Sequence, residues 1–366
     1  MKNTFGTSVL LTLFGESHGQ EIGAVLDGMA PGIPIDEEFL AHQMTLRRPQ
    51  GAISTPRRER DPFRIVSGVH RGRTTGSPIC ILIPNENVHS GDYPEGMVRP
   101  GHADYTAQCK YHGFQDPRGG GHFSGRITAP LVAAGAIALL ALRQRGIEIG
   151  THIRSLAGIE DRPFGDPFAD ITTLSDSVFP VLDGGAAARM KETILAAASD
   201  GDSVGGTLET LVTGIPAGVG EPWFGSVESV LSAALFGIPA VKGVEFGEGF
   251  GFSELRGSEA NDPLRSEGGK IFHLSNHSGG INGGITNGMP ILFRCAVRPT
   301  PTVRVPQPSI DLVSGENVTQ ATEGRHDPAI VHRARVVVDS VTALVLCDLL
   351  ALRYGTDWLA AQETGV

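Results

Sequence analysis

Three short glycine-bearing segments carry the side chains best suited to chemistry. They are Gly15-Glu16-Ser17-His18-Gly19, Arg99-Pro100-Gly101-His102-Ala103-Asp104 and Gly324-Arg325-His326-Asp327-Pro328. Each places an imidazole in backbone with little steric bulk, where a ligand can approach closely. Two of them add an arginine. A histidine titrates near neutral pH and can give or take a proton there, and guanidinium forks suit carboxylates and phosphates. The combination points to proton transfer on an anionic substrate. Arginine is also concentrated between Arg47 and Arg73, where eight arginines and no lysine stand against Glu59 and Asp61. Both a solvated face and an anion site fit that run. A further segment, Gly119-Gly120-Gly121-His122-Phe123-Ser124-Gly125-Arg126, leads into an apolar stretch. A glycine-rich loop entering a helix N-terminus is a ready anion site.

These groups need a scaffold. Residues 8–14, 23–27, 64–69, 78–83, 207–213 and 291–297 read as strands, so His18 follows a strand end, where functional loops tend to lie. A helix is expected from Asp36 to Arg48, with Asp36 as cap, Glu37 and Glu38 at its positive end and Pro49 as stop. A second, almost wholly apolar helix is expected from about Thr128 to Arg145 and should be buried on all sides. Helices are also expected at 185–199, at 226–237 (Val227, Val230, Leu231, Ala234 and Leu235 repeat at helical spacing) and at about 340–352. Gly23–Gly32 and Gly206–Gly218 share a strand, Gly, Pro, Gly, helix order, a faint echo of two related halves. No low-complexity linker divides the 366 residues, which favours one continuous unit. The loop Asn276-His277-Ser278-Gly279-Gly280 and its continuation to Gly284 could let a flat ligand lie on backbone.

The formal net charge of −10 argues against nucleic-acid binding. The 49 glycines and 24 prolines, about a fifth of the chain, have no period and indicate many turns. Cys80, Cys109, Cys295 and Cys347 show no paired spacing, so neither a disulfide framework nor a zinc motif follows. The start reads as no signal peptide. The uncharged apolar segment Ala129–Leu142 falls short of the roughly 18 residues that span a bilayer. A soluble, cytoplasmic protein is expected.

Taken together and in order, the three histidine segments, Ser124-Gly125-Arg126, Ala240-Val241-Lys242-Gly243-Val244-Glu245 and the Asn276–Gly280 loop resemble the chorismate synthase family over nearly the whole chain. The resemblance implies an α+β fold, a β-α-β sandwich of two related halves, as a single domain over 1–366. It implies a 1,4-anti elimination of phosphate from 5-enolpyruvylshikimate 3-phosphate to give chorismate, requiring reduced FMN without net redox change. A homotetramer and an external source of reduced flavin are also implied.

By matched position, His102 resembles the acid that protonates the departing phosphate, and His18 the histidine that manages flavin protonation. Asp327 resembles the carboxylate that assists removal of the substrate proton. Ser17, Arg48, Arg99, Ser124, Arg126 and Arg325 resemble the substrate-anion shell. His122, Phe123, Ser124, Pro239, Ala240, Gly283, Arg298, Pro299, Thr300, Pro301, Thr302 and Arg325 fall where the family contacts FMN, and Arg47 falls at a position associated with flavin or NADP. No metal is implied, and His326 has no assigned role.

The chain departs from the pattern in three places. Gln50–Thr55 lacks an arginine the family often has, and Arg57 is the next one along. Phe123 precedes Ser124 where paired serines are common, and Pro239 replaces a more usual polar residue. The competing readings are a metal-dependent phosphohydrolase using His102/Asp104 and His326/Asp327, and an RNA-binding protein using the arginine run. Neither a His-x-x-x-His helix nor a dense carboxylate cluster supports the first, and the acidic balance weighs against the second.

Overall fold

The computed structural model describes residues 2–55, 60–86, 96–321 and 327–360. Its first helix, α1, spans Glu37–Arg47. Asp36 caps it, with Oδ1 accepting from the Phe39 amide at 2.9 Å. Arg48 is already extended (φ −69°, ψ 153°), as a residue before proline prefers.

Around this helix the chain builds two five-stranded sheets. The first contains β1 (Thr4–Phe5), β2 (Leu10–Phe14), β3 (Glu21–Asp27), β4 (Arg64–Ser67) and β5 (Ile79–Pro84), in the order β1-β2-β3-β5-β4. The second contains β6 (Glu148–Leu156), β7 (Ile159–Glu160), β8 (Gly206–Thr213), β9 (Val241–Phe246) and β10 (Ile291–Val297), in the order β9-β10-β8-β6-β7. Every neighbouring pair is antiparallel. The remaining helices of eight residues or more are α2 (Asp104–Tyr111), α3 (Thr128–Arg143), α4 (Pro167–Ser175), α5 (Gly184–Ser199), α6 (Val227–Leu235) and α7 (Val331–Tyr354). Helix α3 packs on β3 and β5, α7 packs on β6 and β8, and the two helices pack on each other. The fold is therefore α+β, a sandwich with helices between two sheets. From β2 and from β6 the strand orders run alike, β2-β3-β5-β4 and β6-β8-β10-β9. Helix α1 follows β3 as α6 follows β8, and a long core helix closes each series.

The apolar composition of α3 dictates its place, since only Thr128, Leu140 and Arg143 of its residues escape full burial. Gly125–Arg143 is apolar enough, over 19 residues, to cross a bilayer, but 83% of that window is buried inside the protein. Contact with α7 is close at one point. A Cβ on Gly135 would lie 2.2 Å from the Ser340 Cβ, so only glycine admits this approach.

Helix α7 begins nine residues before the expected Ser340. Arg335 and Asp339 make its first turns look like surface. They are buried, however, and paired at 3.2 Å, and Arg335 Nη2 also donates to the Leu174 and Ser177 carbonyls at 3.0 Å. Asp348 of α7 accepts from the Thr7, Ser8 and Val9 amides, which pins the entry to β2.

Strand β6 is missed by hydrophobic patterning because its polar side is internal. His152 lies between Asp161 (2.7 Å) and Glu209 (3.1 Å), and Glu209 continues to Arg294 at 2.6 Å. Burial opposes charge in this chain of groups, but the hydrogen bonds outweigh it. They raise the His152 pKa and lower those of Asp161 and Glu209.

Candidate active site

Two of the three expected catalytic residues meet at one turn. Residues Arg118–Phe123 fold tightly because Gly119, Gly120 and Gly121 all take positive φ (60°, 84° and 53°). Ser17 donates its amide to the Gly121 carbonyl at 3.0 Å, which sets the loop after β2 against this turn. A Cβ on Gly119 would fall 2.2 Å from His18 Cε1 and 2.8 Å from Ser17 Oγ. A Cβ on Gly120 would fall 3.0 Å from His102 Cε1 and 3.3 Å from its Nε2. Both imidazoles thus flank consecutive glycines. Ser17, His18 and Arg99 are buried. His122 shares a hydrogen bond of 2.8 Å with the Gly15 carbonyl, holding the turn from its other side.

Arg99, His102 and Asp104 form a closed group. The Arg99 amide and Nε donate to Asp104 Oδ2 at 2.9 and 2.8 Å, and Nη2 donates to Oδ1 at 2.7 Å. His102 Nδ1 lies 2.8 Å from the same Oδ1. The Arg298–Thr302 segment packs against this group, since Arg298 Nη1 donates to the Gly101 carbonyl at 2.9 Å. A Cβ on Gly101 would lie 3.3 Å from Pro301 Cβ. Thr300 accepts from Ser203 Oγ through its carbonyl at 2.7 Å.

The glycine turn runs on into a cavity of about 260 Å³ whose lining includes Arg47, Ser124, Arg126, Pro239, Asp327 and Arg333. Asp327 accepts from the Thr55 amide at 2.9 Å and from Arg333 Nη1 at 2.5 Å. Arg333 Nε donates to the Arg47 carbonyl at 2.9 Å, so the carboxylate is tied to the end of α1. Arg47 and Arg126 share Asp61, which is fully enclosed. Arg47 also donates to Thr128 Oγ1 at 2.9 Å and to the Gly125 carbonyl at 3.0 Å. Arg126 donates to Asn85 Oδ1 at 3.0 Å, and Asn85 Nδ2 in turn donates to the Glu16 and Gly19 carbonyls at 3.0 and 2.9 Å. One amide therefore links the His18 loop to the cavity wall. Beside Asp327, burial and the neighbouring Arg333 push the His332 pKa down to about 4.

Other expected residues are placed differently. Arg48 turns back on its own helix, with Nη2 donating to Thr45 Oγ1 at 2.5 Å, and lines a second cavity with Arg60, Asp61 and Phe63. Phe123 is partly exposed and meets Tyr111 edge-on at 5.8 Å. Ala240 adopts φ +77° beside Pro239, and its carbonyl accepts from the Arg298 amide at 3.0 Å. Gly283 turns a hairpin whose Gly284 carbonyl accepts from Val227 at the start of α6, whereas Pro239 follows the end of that helix. The length of α6 separates them, roughly 13 Å at 1.5 Å per residue. The Asn276–Gly280 loop is pinned by Asp262, which accepts from the His277 and Ser278 amides at 2.7 and 2.9 Å. Arg57, Arg325 and His326 lie outside the described residues.

Sequence reasoning gave no role to Asp61, Asn85 or Arg333, and weighed Asp104 only as a metal ligand in a competing reading. Asp104 stood inside a quoted motif and Asn85 just beyond a strand end, so both carried a positional signal. Asp61 and Arg333 are defined by partners distant in the chain.

A pair of histidines on one turn, continuing to a cavity edged by arginines and a carboxylate, has the groups needed for acid–base work on an anion. The comparisons with known proteins agree. The family model for chorismate synthase matches residues 9–351. Chorismate synthase from Aeropyrum pernix is 45% identical over 96% of this chain and 93% of its own. That from Dehalococcoides mccartyi is 45% identical over 97% and 98%. A solved structure described as chorismate synthase superposes with a TM-score of 0.76 at 30% identity, covering 96% of this chain and 94% of its own. The chain belongs to the chorismate synthase family and is a carbon–oxygen lyase of the shikimate pathway.

Proposed function

We propose that this enzyme eliminates phosphate from 5-enolpyruvylshikimate 3-phosphate in a 1,4-anti sense to give chorismate, with reduced FMN bound and no net redox change. The observation that carries the reading is the convergence of His18 and His102 on the Gly119–Gly120 turn, which continues through Ser124–Arg126 into the wall of the cavity that contains Asp327, although neither histidine itself lines that cavity. Polar atoms that suit a flavin lie on the His18 loop and on the segment that packs against Gly101. Ser17 Oγ and Thr300 Oγ1 are buried without a hydrogen-bond partner among the described residues, and buried polar atoms of this kind are normally satisfied. Ser17, His122, Phe123 and the Arg298–Thr302 segment would hold the cofactor. Reduced FMN, when bound, supplies the electron density that eases loss of phosphate and recovers it afterwards.

The protein's own groups do the rest. The reaction breaks the ring C–O bond to phosphate and the C–H bond at the 1,4-related carbon, and the electron pair left by the proton becomes part of the new diene. His102 delivers a proton to the departing phosphate oxygen from Nε2, the nitrogen beside Gly120. Asp327 assists removal of the ring proton, with its carboxylate fixed by Thr55 and Arg333. His18, buried beside Ser17, sets the protonation of the cofactor edge. Arg99, Arg126 and Ser124, with Arg325, receive the phosphate and carboxylates, and fixed cations of this kind stabilise charge growing on the leaving group; Arg48 would join them only by leaving its bonds to its own helix and the second cavity.

The matching strand orders of the two sheets support one domain built from two related halves. The family resemblance supports a homotetramer in the cytoplasm, fed with reduced flavin from outside. An anaerobic assay tests the reaction, with phosphate and chorismate followed in the presence of oxidised and of dithionite-reduced FMN. Release of both products only with reduced FMN is expected. Equal phosphate release without flavin would overturn the reading.

A further inference from the structure

We propose that Asp104 is a positioning residue for the reaction. Its carboxylate, locked to Arg99, keeps a hydrogen on His102 Nδ1 throughout, so that the doubly protonated ring gives its proton to the substrate from Nε2 and the tautomer with hydrogen on Nδ1 is what remains. The inference rests on the proposed role of His102 as proton donor.

The argument is one of donor and acceptor matching. Asp104 Oδ1 and His102 Nδ1 are 2.8 Å apart. A bare Nδ1 lone pair would face the carboxylate lone pairs at that distance, which is repulsive; a hydrogen on Nδ1 makes the contact attractive. Arg99 Nη2 also lies 3.0 Å from Nδ1, but the carboxylate oxygen at 2.7 Å is the stronger acceptor for it. Burial alone would raise the Asp104 carboxyl, yet the hydrogen bonds from Arg99 and His102 outweigh burial and hold it well below the usual carboxylate range. The group therefore stays ionised and cannot itself supply the hydrogen between Oδ1 and Nδ1.

The geometry is rigid on every side. Asp104 opens α2, where the helix dipole favours an anion. The Arg99 amide, Nε and Nη2 all donate to it, and the His102 amide returns to the Arg99 carbonyl at 3.0 Å. Arg298 clamps the Gly101 carbonyl from outside. With Nδ1 held in this way, the Cε1–Nε2 edge faces the Gly120 position, 3.0 and 3.3 Å from where a Cβ would stand. A ring so held presents one nitrogen and one orientation to the site, which is what a positioned general acid requires.

The test uses D104N, D104E, H102A and the double variant H102A/D104N in the full-length enzyme. In D104N the amide oxygen can keep an acceptor for Arg99 while the NH₂ group faces Nδ1 and favours the opposite tautomer. We expect kcat for phosphate release to fall on the order of 100-fold, with KM and FMN affinity changed less than about threefold. D104E should recover part of the loss, and the double variant should be no slower than H102A alone, because both changes disable one unit. Long-range ¹H–¹⁵N spectra of the imidazoles should show hydrogen on Nδ1 of His102 in the wild type and a shift towards Nε2–H in D104N. Wild-type rates in D104N, losses that multiply in the double variant, or an unchanged His102 spectrum would each overturn the proposal. The spectra need no turnover. A wild type unable to release phosphate would therefore sink the proposed reaction and leave the spectra to decide the role of Asp104.

Discussion

Alanine at Gly119 is the sharpest probe of whether the His18 ring stands at the reacting centre. The added methyl group would sit 2.2 Å from His18 Cε1, and ordinary contact begins near 3.4 Å, so the ring must retreat by about 1.2 Å. Ser17 Oγ, at 2.8 Å, must give by about 0.6 Å as well. Misplacement of a catalytic group by about 1 Å can cost roughly 100-fold in rate, or about 2.7 kcal/mol of barrier. The substitution also forces a side chain into left-handed backbone at φ +60°, at a cost of about 1–2 kcal/mol in stability.

Gly146 separates the two effects. Its φ is +70° and a Cβ there would touch nothing within 4 Å. G146A should therefore show the backbone penalty alone, with normal turnover. Phosphate release with reduced FMN and urea unfolding of both variants form the assay. The expected result is a similar loss of stability in the two, with kcat/KM reduced about 100-fold only in G119A. If G119A turns over within threefold of G146A, His18 does not act from the position described here.

Two further outcomes follow from the buried charges. Asp61→Ala should cost about 3–5 kcal/mol, because it strands Arg47 and Arg126 in a buried site without their shared carboxylate; a urea midpoint close to wild type would show that the pair does not depend on it. Acid should weaken the fold through His332, whose folded-state pKa is about 4, depressed by burial, against about 6.5 unfolded. The stability this group contributes is complete above about pH 6.5 and is lost as pH falls through the window to about 4, by up to roughly 3 kcal/mol. His332→Gln, which can keep a hydrogen bond to Ser54, should flatten that slope, and an unchanged slope would count against the assignment.

The sequence was most legible where a local rule sufficed. Helix α1 is bounded by its own Asp36 cap and Pro49, and β10 occupies the expected residues 291–297. The apolar run of α3 announces a core helix, because no face of it can be left in water. Local rules failed where polar residues are buried with partners. The opening turns of α7 carry Arg335 and Asp339, and β6 carries His152; each reads as surface until the matching charge arrives from elsewhere in the fold. Helices α2 and α4 escaped for a simpler reason, being short and without a long apolar repeat.

The same distinction governs the site. His18 and His102 could be picked out because histidine in a glycine loop has no apolar face to pack against. Their meeting at Gly119 and Gly120 could not be read, since a third segment, distant from both in the chain, brings residues 18 and 102 together. The arginines show the limit most clearly. The family resemblance places Arg48 and Arg126 in the substrate shell and Arg47 near flavin or NADP, yet a guanidinium has five donors and can spend them within the protein. Arg47 and Arg126 spend donors on Asp61 and on the Gly125 and Pro84 carbonyls, and Arg48 spends two on its own helix. An arginine in such a motif can thus serve as a structural tie, and how many donors it keeps for a ligand is fixed by carboxylates and carbonyls that lie far away in the chain.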